Sequence, residues 1–146
     1  MSAENVELVR SCQLGPDADV AVLVKDDEAA GRLGEAIGRL FAPSVQCTMR
    51  FPGVAPVTYP RGLPGLRAAW LDWLRQWASY RVEIEDMIDC GDRVLVVNRV
   101  RARRRADAPE ITLRRANVWT VHDQLIVHVD FNLAYADWLT SGAATA

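Results

Sequence analysis

A helix that runs directly into a β-hairpin, between residues 61 and 100, constrains the fold more than any other feature of the sequence. Large apolar side chains recur there at the three-and-four spacing of one helix face: Leu66, Trp70, Trp73, Leu74 and Trp77. From residue 80 to 85 the period changes to two, as in a strand with one covered face. Residues 89–92 supply turn chemistry, and residues 94–97 are apolar at successive positions, as in a strand covered on both faces. A helix lying on a curved antiparallel sheet is predicted.

The remaining periodicity extends this pattern in both directions along the chain. Before the tryptophan helix, helical segments are predicted at residues 4–13, 19–24 and 26–41, and a first strand at 45–51. The proline- and glycine-rich stretch 51–65 is predicted to be an ordered loop. After the hairpin turn, strands are predicted at about 93–105, 110–121 and 125–133. Helices followed by a run of antiparallel strands are typical of an α+β fold with the helices on one face of the sheet.

Composition and charge narrow the class of protein. With 146 residues, half of them hydrophobic, the chain can bury one substantial core, so residues 1–146 are assigned to a single domain. A net charge of −2 gives no reason to expect nucleic acid or a membrane as partner. Cys12, Cys47 and Cys90 form neither a disulfide framework nor a zinc motif, and no metal or cofactor is expected. The acidic N-terminus lacks a secretory signal, so a cytoplasmic location is expected.

Five segments carry a family resemblance: ENVELVR (4–10), LFAPSV (40–45), RGLPGLRAAW (61–70), GDRVLVV (91–97) and ANVWTVHDQLI (116–126). With them the chain resembles the SnoaL-like, polyketide cyclase-like branch of the nuclear transport factor two-like superfamily. The resemblance implies a cone-shaped curved antiparallel sheet with N-terminal helices packed on its concave side, around an apolar pocket. It implies isomerisation, epoxide hydrolysis, aldol cyclisation, dehydration or simple binding as the activity. Between Gln13 and Leu40 the chain is longer than common members, which leaves open which helix covers the pocket.

Only some of the catalytic residues of the related enzymes have counterparts at the matching positions of this sequence. Ketosteroid isomerases place a general base near the end of the first strand, here at Thr48 or Met49, and neither side chain can act as that base. The catalytic carboxyl group of the polyketide cyclases aligns with Asn117, which can donate a hydrogen bond to an oxyanion but cannot exchange a proton. Limonene epoxide hydrolases use an arginine and two carboxylates. Arg99 matches the arginine and Asp130 matches one carboxylate, whereas the other position holds a second arginine.

The last predicted strand allows two interpretations. His128, Asp130 and Asn132 share one face, and the alternate residues are apolar. Periodicity alone places the polar face in water, whereas the resemblance turns Asp130 toward the cavity. A buried Asp130 needs a cationic partner, and Arg99 is the expected one, either as part of an active site or as a structural ion pair. His128 and Asp130 make two metal ligands without a third, so no metal site is predicted.

Six further residues are predicted to contact a substrate: Trp119, His128, Tyr59, Trp73, Met49 and Arg101. Trp119 shares a strand face with Asn117, and Tyr59 offers a hydroxyl donor. Arg101 reaches a carboxylate or phosphate of a ligand in one interpretation and is solvated in the other. Trp73 lies in the apolar stripe of its helix and is equally compatible with an ordinary core position.

Two functional hypotheses follow from these residues and the resemblance. In the first, the chain is a small cofactor-independent enzyme of isomerase, lyase or epoxide-hydrolase type acting on a small hydrophobic molecule, with Asp130 as acid-base group, Arg99 beside it and Asn117 as oxyanion donor. In the second, it is a non-catalytic small-molecule-binding or dimerisation domain. A homodimer is expected through the outer sheet face, where six apolar side chains would otherwise be exposed: Val96, Val100, Val118, Val127, Val129 and Phe131.

Overall fold

The structure is a computed structural model that describes residues 2–134. Four α-helices and a short 3-10 turn lie among six strands. In chain order they are α1 (Ser2–Arg10), α2 (Val20–Lys25), α3 (Asp27–Ile37), the 3-10 turn (Gly38–Leu40), β1 (Phe41–Met49), β2 (Val57–Tyr59), α4 (Leu63–Leu74), β3 (Ser79–Cys90), β4 (Arg93–Arg103), β5 (Ile111–His122) and β6 (Leu125–Ala134). The predicted helices and long strands are all present. The predicted loop at 51–65 additionally contains β2, a three-residue edge strand.

The six strands form one curved, unclosed sheet in the order β2-β1-β6-β5-β4-β3. The four strands from β3 to β6 are joined as successive antiparallel neighbours, whereas β1 pairs with β6 in parallel. Parallel neighbours need a long crossover between them, and here the whole stretch from β2 to β5 provides it. The predicted α+β class with helices against one side of the sheet is confirmed, with one parallel pair inside an otherwise antiparallel sheet.

The concave side of the sheet carries the main core. On β4, Val94, Val96 and Val100 point into it, while the alternate residues Arg99 and Arg101 are exposed. The buried face of α4 lies on this side of the sheet and packs its tryptophans edge-on and tilted against Tyr80 and the phenylalanines. Such aromatic arrangements stabilise a core beyond simple area burial. The tryptophan helix therefore belongs to the core and also forms one wall of the space between helices and sheet.

Most of the residues predicted to form a dimer surface on the outer face of the sheet lie on its concave side instead. Val96, Val100, Val129 and Phe131 are at most 3% exposed and belong to the main core on the concave side. A smaller apolar cluster occupies the opposite side of β4 to β6: Leu95, Val97, Ala116 and Leu133. Four of the six apolar residues chosen to define a dimer face are thus covered within one chain, whereas Val118 and Val127 are half-buried. The predicted surface is wrong for these four residues, and the homodimer itself stays a prediction.

Polar side chains attach the segment between Gln13 and Leu40 to the rest of the molecule. Asp19 caps α2, and its Oδ1 also accepts a hydrogen bond of 3.0 Å from the backbone N–H of Tyr80 at the start of β3. Lys25 donates to the carbonyl of Trp77, and Arg67 on α4 donates to the carbonyl of Val24 at 2.9 and 3.1 Å. The segment is therefore held across one side of the molecule as two short helices. None of the described helices is long and apolar enough to cross a membrane.

Candidate functional site

A cavity of about 350 Å³ lies between the helices and the concave side of the sheet. The residues that follow α1, the helices α2, α3 and α4, the start of β1, and the inner residues of β3 to β6 all contribute to its wall. Most of the lining is apolar, with aromatic rings prominent: Phe41, Trp70, Trp73, Tyr80, Trp119 and Phe131. A concave, mainly apolar site with a few polar groups is the usual form of a small-molecule site in proteins. The helices that cover the cavity on this side are α2 and α3, between Gln13 and Leu40, since both border it.

Four polar residues on the sheet interrupt the apolar lining: Asn98, Arg115, Asn117 and Asn132. Asn98 on β4 lies directly opposite Arg115 on β5, and Asn117 follows two residues later on the same strand face. Residues two apart on a strand are separated by roughly 7 Å, so these groups form one polar area on the cavity floor. We call Asn98, Arg115, Asn117 and Asn132 the polar floor.

A β-bulge brings Asn132 into the polar floor. The register between β5 and β6 shifts between Ala116 and Val118, and Asn132 has a positive φ of 68°. Its backbone N–H donates to Asn117 Oδ1 at 2.9 Å, its Oδ1 accepts from Arg115 Nε at 2.9 Å, and its Nδ2 donates to the carbonyl of Arg50 at 2.7 Å. An asparagine tolerates the left-handed backbone conformation better than most residues. Because of the bulge, the consecutive residues Phe131 and Asn132 both line the cavity.

The two other asparagines of the floor have hydrogen-bonding capacity to spare. Asn98 is 4% exposed, and its Oδ1 is buried without a partner among the described residues. Asn117 is 7% exposed and uses its Oδ1, whereas its Nδ2 makes no hydrogen bond to a described residue. Buried amides are normally satisfied, and leaving one unpaired costs about 1–3 kcal/mol. Groups left in this state inside a cavity are natural contacts for a bound molecule.

Tyr80 is the ionisable aromatic residue of the wall. Burial raises the pKa of Tyr80 to about 12, while the neighbouring Trp73 indole and the Arg115 guanidinium act in the opposite direction. Burial likewise raises the pKa of the Cys12 thiol to about 12. Both groups are therefore protonated and neutral near pH 7.

An ion pair borders the cavity on the helical side. Arg67 Nη2 contacts Asp27 Oδ1 at 2.8 Å, and the Asp27 side chain is 94% exposed. Exposed pairs of this kind contribute little to stability. Asp27 is nevertheless the one carboxylate in the described lining of the cavity, and it faces solvent and an arginine rather than the polar floor.

Comparison with known proteins identifies the family to which this architecture belongs. The sequence profile of the SnoaL-like domain matches residues 26–129. This chain belongs to the SnoaL-like domain family. A search of curated proteins gave no match. The resemblance inferred from the five sequence segments is confirmed.

Several solved structures share the SnoaL-like fold of this chain at low sequence identity. TerC, co-crystallised with polyporic acid, is 16% identical with a TM-score of 0.63, covering 98% of this chain and 99% of that one. A putative SnoaL-like polyketide cyclase from Jannaschia sp. CCS1 is 12% identical with a TM-score of 0.64, covering 99% and 94%. An NTF2-like protein from Burkholderia thailandensis E264 is 21% identical with a TM-score of 0.61, covering 97% of each chain. At these identities the similarity shows the fold.

Three of the predicted site residues of this SnoaL-like chain line the cavity: Asn117, Trp119 and Trp73. Trp119 and Asn117 share the inner face of β5, as their spacing indicated. Trp73 is 2% exposed and serves both as core residue and as cavity wall, so the two interpretations of its position coincide.

Asp130 and Arg99 do not meet in the cavity, so their predicted pairing is wrong. Asp130 binds Arg50 through two hydrogen bonds of 2.9 and 3.0 Å, while Arg99 lies 4.0 Å from Glu85. On β5, their respective neighbours are Val118 and Arg114, four residues apart, which corresponds to about 13 Å along the strand. Both side chains lie on the outer side of the sheet. The alternation of β6 was a better guide to the direction of Asp130 than the family resemblance.

The remaining four predicted substrate contacts also lie outside the described cavity lining. His128 Nε2 lies 3.0 Å from Thr48 Oγ1 on the outer side, and Arg101 is exposed there. Met49 is fully buried in the core. Tyr59 donates a hydrogen bond of 2.7 Å to Asp72. Burial, and to a smaller extent this hydrogen bond, raises the pKa of Tyr59. Within residues 2–134, no group of three His, Cys, Asp or Glu side chains is arranged to hold a metal ion.

Sequence reasoning missed Asn98, Arg115 and Asn132. A signal existed for Asn98, because it is the polar residue on the strand face that Val94, Val96 and Val100 otherwise make apolar. Arg115 lies two positions before Asn117 and therefore on the same strand face, which also could have been noted. Alternation gave no signal for Asn132, since the bulge that turns it inward is not visible in a period-two pattern. Only the family resemblance, which turned its strand face toward the cavity, indicated that position.

Proposed function

We propose that this SnoaL-like protein binds a small, mainly apolar molecule in the cavity, with a polar atom of the ligand placed against the polar floor. The observation that carries the proposal is the pair of buried, incompletely hydrogen-bonded amides of Asn98 and Asn117 at the base of an aromatic cavity. The apolar body of a ligand gains stability from burial, at about 25 cal/mol per Å² of surface. The amides add direction, because they are satisfied only when the ligand presents an oxygen or nitrogen atom there.

Binding without proton transfer is the activity that the ionisable groups support best. Among the described lining residues, Tyr80 and Cys12 are protonated near neutral pH, Asp27 is solvated at the mouth, and Arg67 and Arg115 are permanent cations. A general base needs a pKa near the working pH and a position within hydrogen-bond reach of the substrate. This favours the non-catalytic hypothesis over acid-base catalysis centred on Asp130.

An isomerase- or lyase-type enzyme remains the second candidate, and one observation favours it. Arg115 and the Nδ2 group of Asn117 present donors on one strand face, and Asn98 lies opposite. Donors gathered around one position stabilise a developing oxyanion, which is a large contribution in many enzymes. The epoxide-hydrolase variant loses its support, because it required Asp130 and Arg99 in the cavity.

A homodimer also remains a prediction from the resemblance alone. Four of the six apolar residues proposed for its surface are part of the core, so the contact would have to involve other residues as well.

The cavity proposal is tested by a substitution that places a large side chain in the cavity. Gly34 lies in the cavity wall, and a Cβ there would meet no other heavy atom within 4 Å. Gly34→Phe is expected to occupy part of the cavity and to weaken binding of 2-acetylnaphthalene at least about tenfold, since lost apolar burial of 1.4 kcal/mol already corresponds to that factor. Titration calorimetry measures the affinity, and quenching of tryptophan fluorescence reports it independently.

Glu35→Phe is the matched control, because Glu35 is exposed on the same helix and does not line the cavity. It should leave the affinity unchanged. Absence of binding to the wild type, or equal binding by both variants, contradicts the proposal. Turnover of enones or polyketide-like ketoesters by the wild type, lost on Asn117→Ala, would favour the enzyme hypothesis over simple binding.

A further inference from the structure

Arg115 differs from most of its neighbours in the electrostatic partners that surround it. Four other arginines of the sheet lie near carboxylates, Arg81 near Asp19, Arg103 near Glu110, and both Arg99 and Arg114 near Glu85, whereas Arg93 and Arg101 do not line the cavity. Arg115 has no carboxylate within ion-pair distance among residues 2–134. Its hydrogen bonds go to neutral acceptors, Asn132 Oδ1 at 2.9 Å and the carbonyl of Arg114 at 3.2 Å.

The position of Arg115 makes this lack of a counter-ion costly. The residue is half-buried and lines an aromatic cavity, where water screens its charge less than on the surface. A cation withdrawn from water is stable only when an anion or several dipoles replace the water. Its Nη2 makes no hydrogen bond to a described residue, so the guanidinium keeps donors for a ligand.

The surrounding donors point to the same kind of ligand atom. Asn98 lies directly across the strands from Arg115. Asn117, whose Nδ2 has no hydrogen-bond partner among residues 2–134, lies two residues along β5 on the same face. The oxygen and nitrogen of the Asn98 amide exchange places when the group rotates, so either can face the ligand. A guanidinium with adjacent amide donors is well suited to the oxygens of an anion, since charge-assisted hydrogen bonds are the stronger ones.

We infer that the ligand of this cavity carries an acidic oxygen group, a carboxylate or an acidic enol, and that Arg115 is its counter-ion. This inference rests on the proposed binding function and specifies the class of ligand. The anionic group lies on the polar floor, between Arg115, Asn98 and Asn117. The apolar remainder extends along Trp70 and Trp119 toward α3.

The test compares two probes that differ in charge, 2-naphthoate and its methyl ester, by titration calorimetry at pH 7. Hydrogen bonds to charged groups contribute about 1.5–3 kcal/mol, so the wild type should bind the naphthoate about ten- to a hundredfold more tightly than the ester. Arg115→Gln should remove this preference, because it lowers the affinity for the naphthoate far more than the affinity for the ester. The preference should also fade as the pH drops through the carboxyl pKa of about 4, because the protonated acid is neutral.

Arg114→Gln is the matched control, since Arg114 is adjacent in sequence but lies on the outer side of the sheet beside Glu85. It should keep the preference. If Arg115→Gln does not fold, Arg115→Lys replaces it and should retain only part of the preference, because lysine preserves the charge without the planar donor geometry.

Equal affinity of the wild type for naphthoate and ester overturns the inference, as does a preference that survives Arg115→Gln. Binding of the neutral ketone 2-acetylnaphthalene without binding of naphthoate overturns the ligand class and leaves the cavity function standing. If none of the three probes binds, the proposed function itself is contradicted.

Discussion

At the scale of single residues, Gly65 shows how closely the backbone packs where α4 begins. A Cβ built on Gly65 would lie 1.8 Å from the carbonyl oxygen of Pro60, which is backbone and cannot swing aside. Gly62, just before the helix, adopts a φ of 93° that favours glycine. The proline- and glycine-rich stretch before the tryptophan helix is therefore an ordered structure in which particular glycines are required.

We expect Gly65→Ala to destabilise the protein by about 1–3 kcal/mol, the usual cost of overpacking a site that cannot relax. Gly31→Ala is the comparison, because a Cβ at Gly31 meets nothing within 4 Å and the residue lies inside α3. Alanine there should raise stability by up to about 1 kcal/mol through helix propensity. Urea denaturation of both variants measures the difference, and a neutral effect of Gly65→Ala would show that the loop shifts freely.

At the scale of elements, α2 depends on tertiary contacts for its existence. A six-residue helix is far too short to be stable alone. The Asp19 side chain accepts hydrogen bonds from the N–H groups of Ala21 and Val22 in the first turn of α2, and also from the N–H of Tyr80 in β3. One carboxylate thus caps a helix and connects it to a strand sixty-one residues away. The cavity wall formed by Val20 and Val24 is positioned through this connection.

Asp19→Ala should therefore cost more than the loss of an ordinary helix cap. We expect about 2–4 kcal/mol, from a cap of about 1 kcal/mol together with an unsatisfied N–H at Tyr80. Asp26→Ala is the control, since Asp26 caps α3 through a single bond to Ala29 and is exposed. It should cost about 1 kcal/mol. Equal losses in thermal or urea unfolding would show that the bond to Tyr80 contributes nothing.

At the scale of the whole molecule, the apolar core controls the response to alkaline pH. Burial raises the pKa of the thiols of Cys12 and Cys47 from 9.0 to about 12, and Asp130 adds to the shift of Cys47. The pKa of Tyr80 rises to about 12 as well. Below pH 9 these groups are protonated in both the folded and the unfolded chain, so they do not make stability depend on pH. Above pH 9 the unfolded chain releases protons that the folded chain retains.

Stability is therefore expected to fall steeply between about pH 9 and 12. Each buried thiol contributes up to about 1.4 kcal/mol per pH unit in this range. Urea midpoints measured between pH 8 and pH 10.5 test this. Cys47→Ala should make the urea midpoint depend less on pH, by the contribution of one thiol. Cys90→Ala should leave most of the pH dependence in place, because Cys90 is only half-buried. A constant urea midpoint across this range would contradict the buried state of the thiols.

Much of the fold could be predicted because local patterns and global structure agree. The switch from helical spacing at Trp70 and Trp73 to alternation after Ser79 marked α4 and β3 within a few residues. Period and turn chemistry are local properties, so a sequence displays them directly. The edge strand β2 and the parallel pairing of β1 with β6 were missed. The parallel pairing depends on which distant segments become neighbours, and no local pattern reports that. The strand β2 pairs with the preceding β1, but its three residues are too few to show a periodic pattern.

For the site, the sequence by itself determined that Asn117 and Trp119 share a strand face, and the alternation of β6 indicated an apolar inner and a polar outer side. Only the tertiary structure decided that Asp130 pairs with Arg50, because that contact joins neighbouring strands whose pairing is not encoded locally. It also decided that Asn132 turns inward, since one extra residue in a bulge reverses the alternation. The charge at the cavity floor thus depends on strand pairing and register as well as on the residues present.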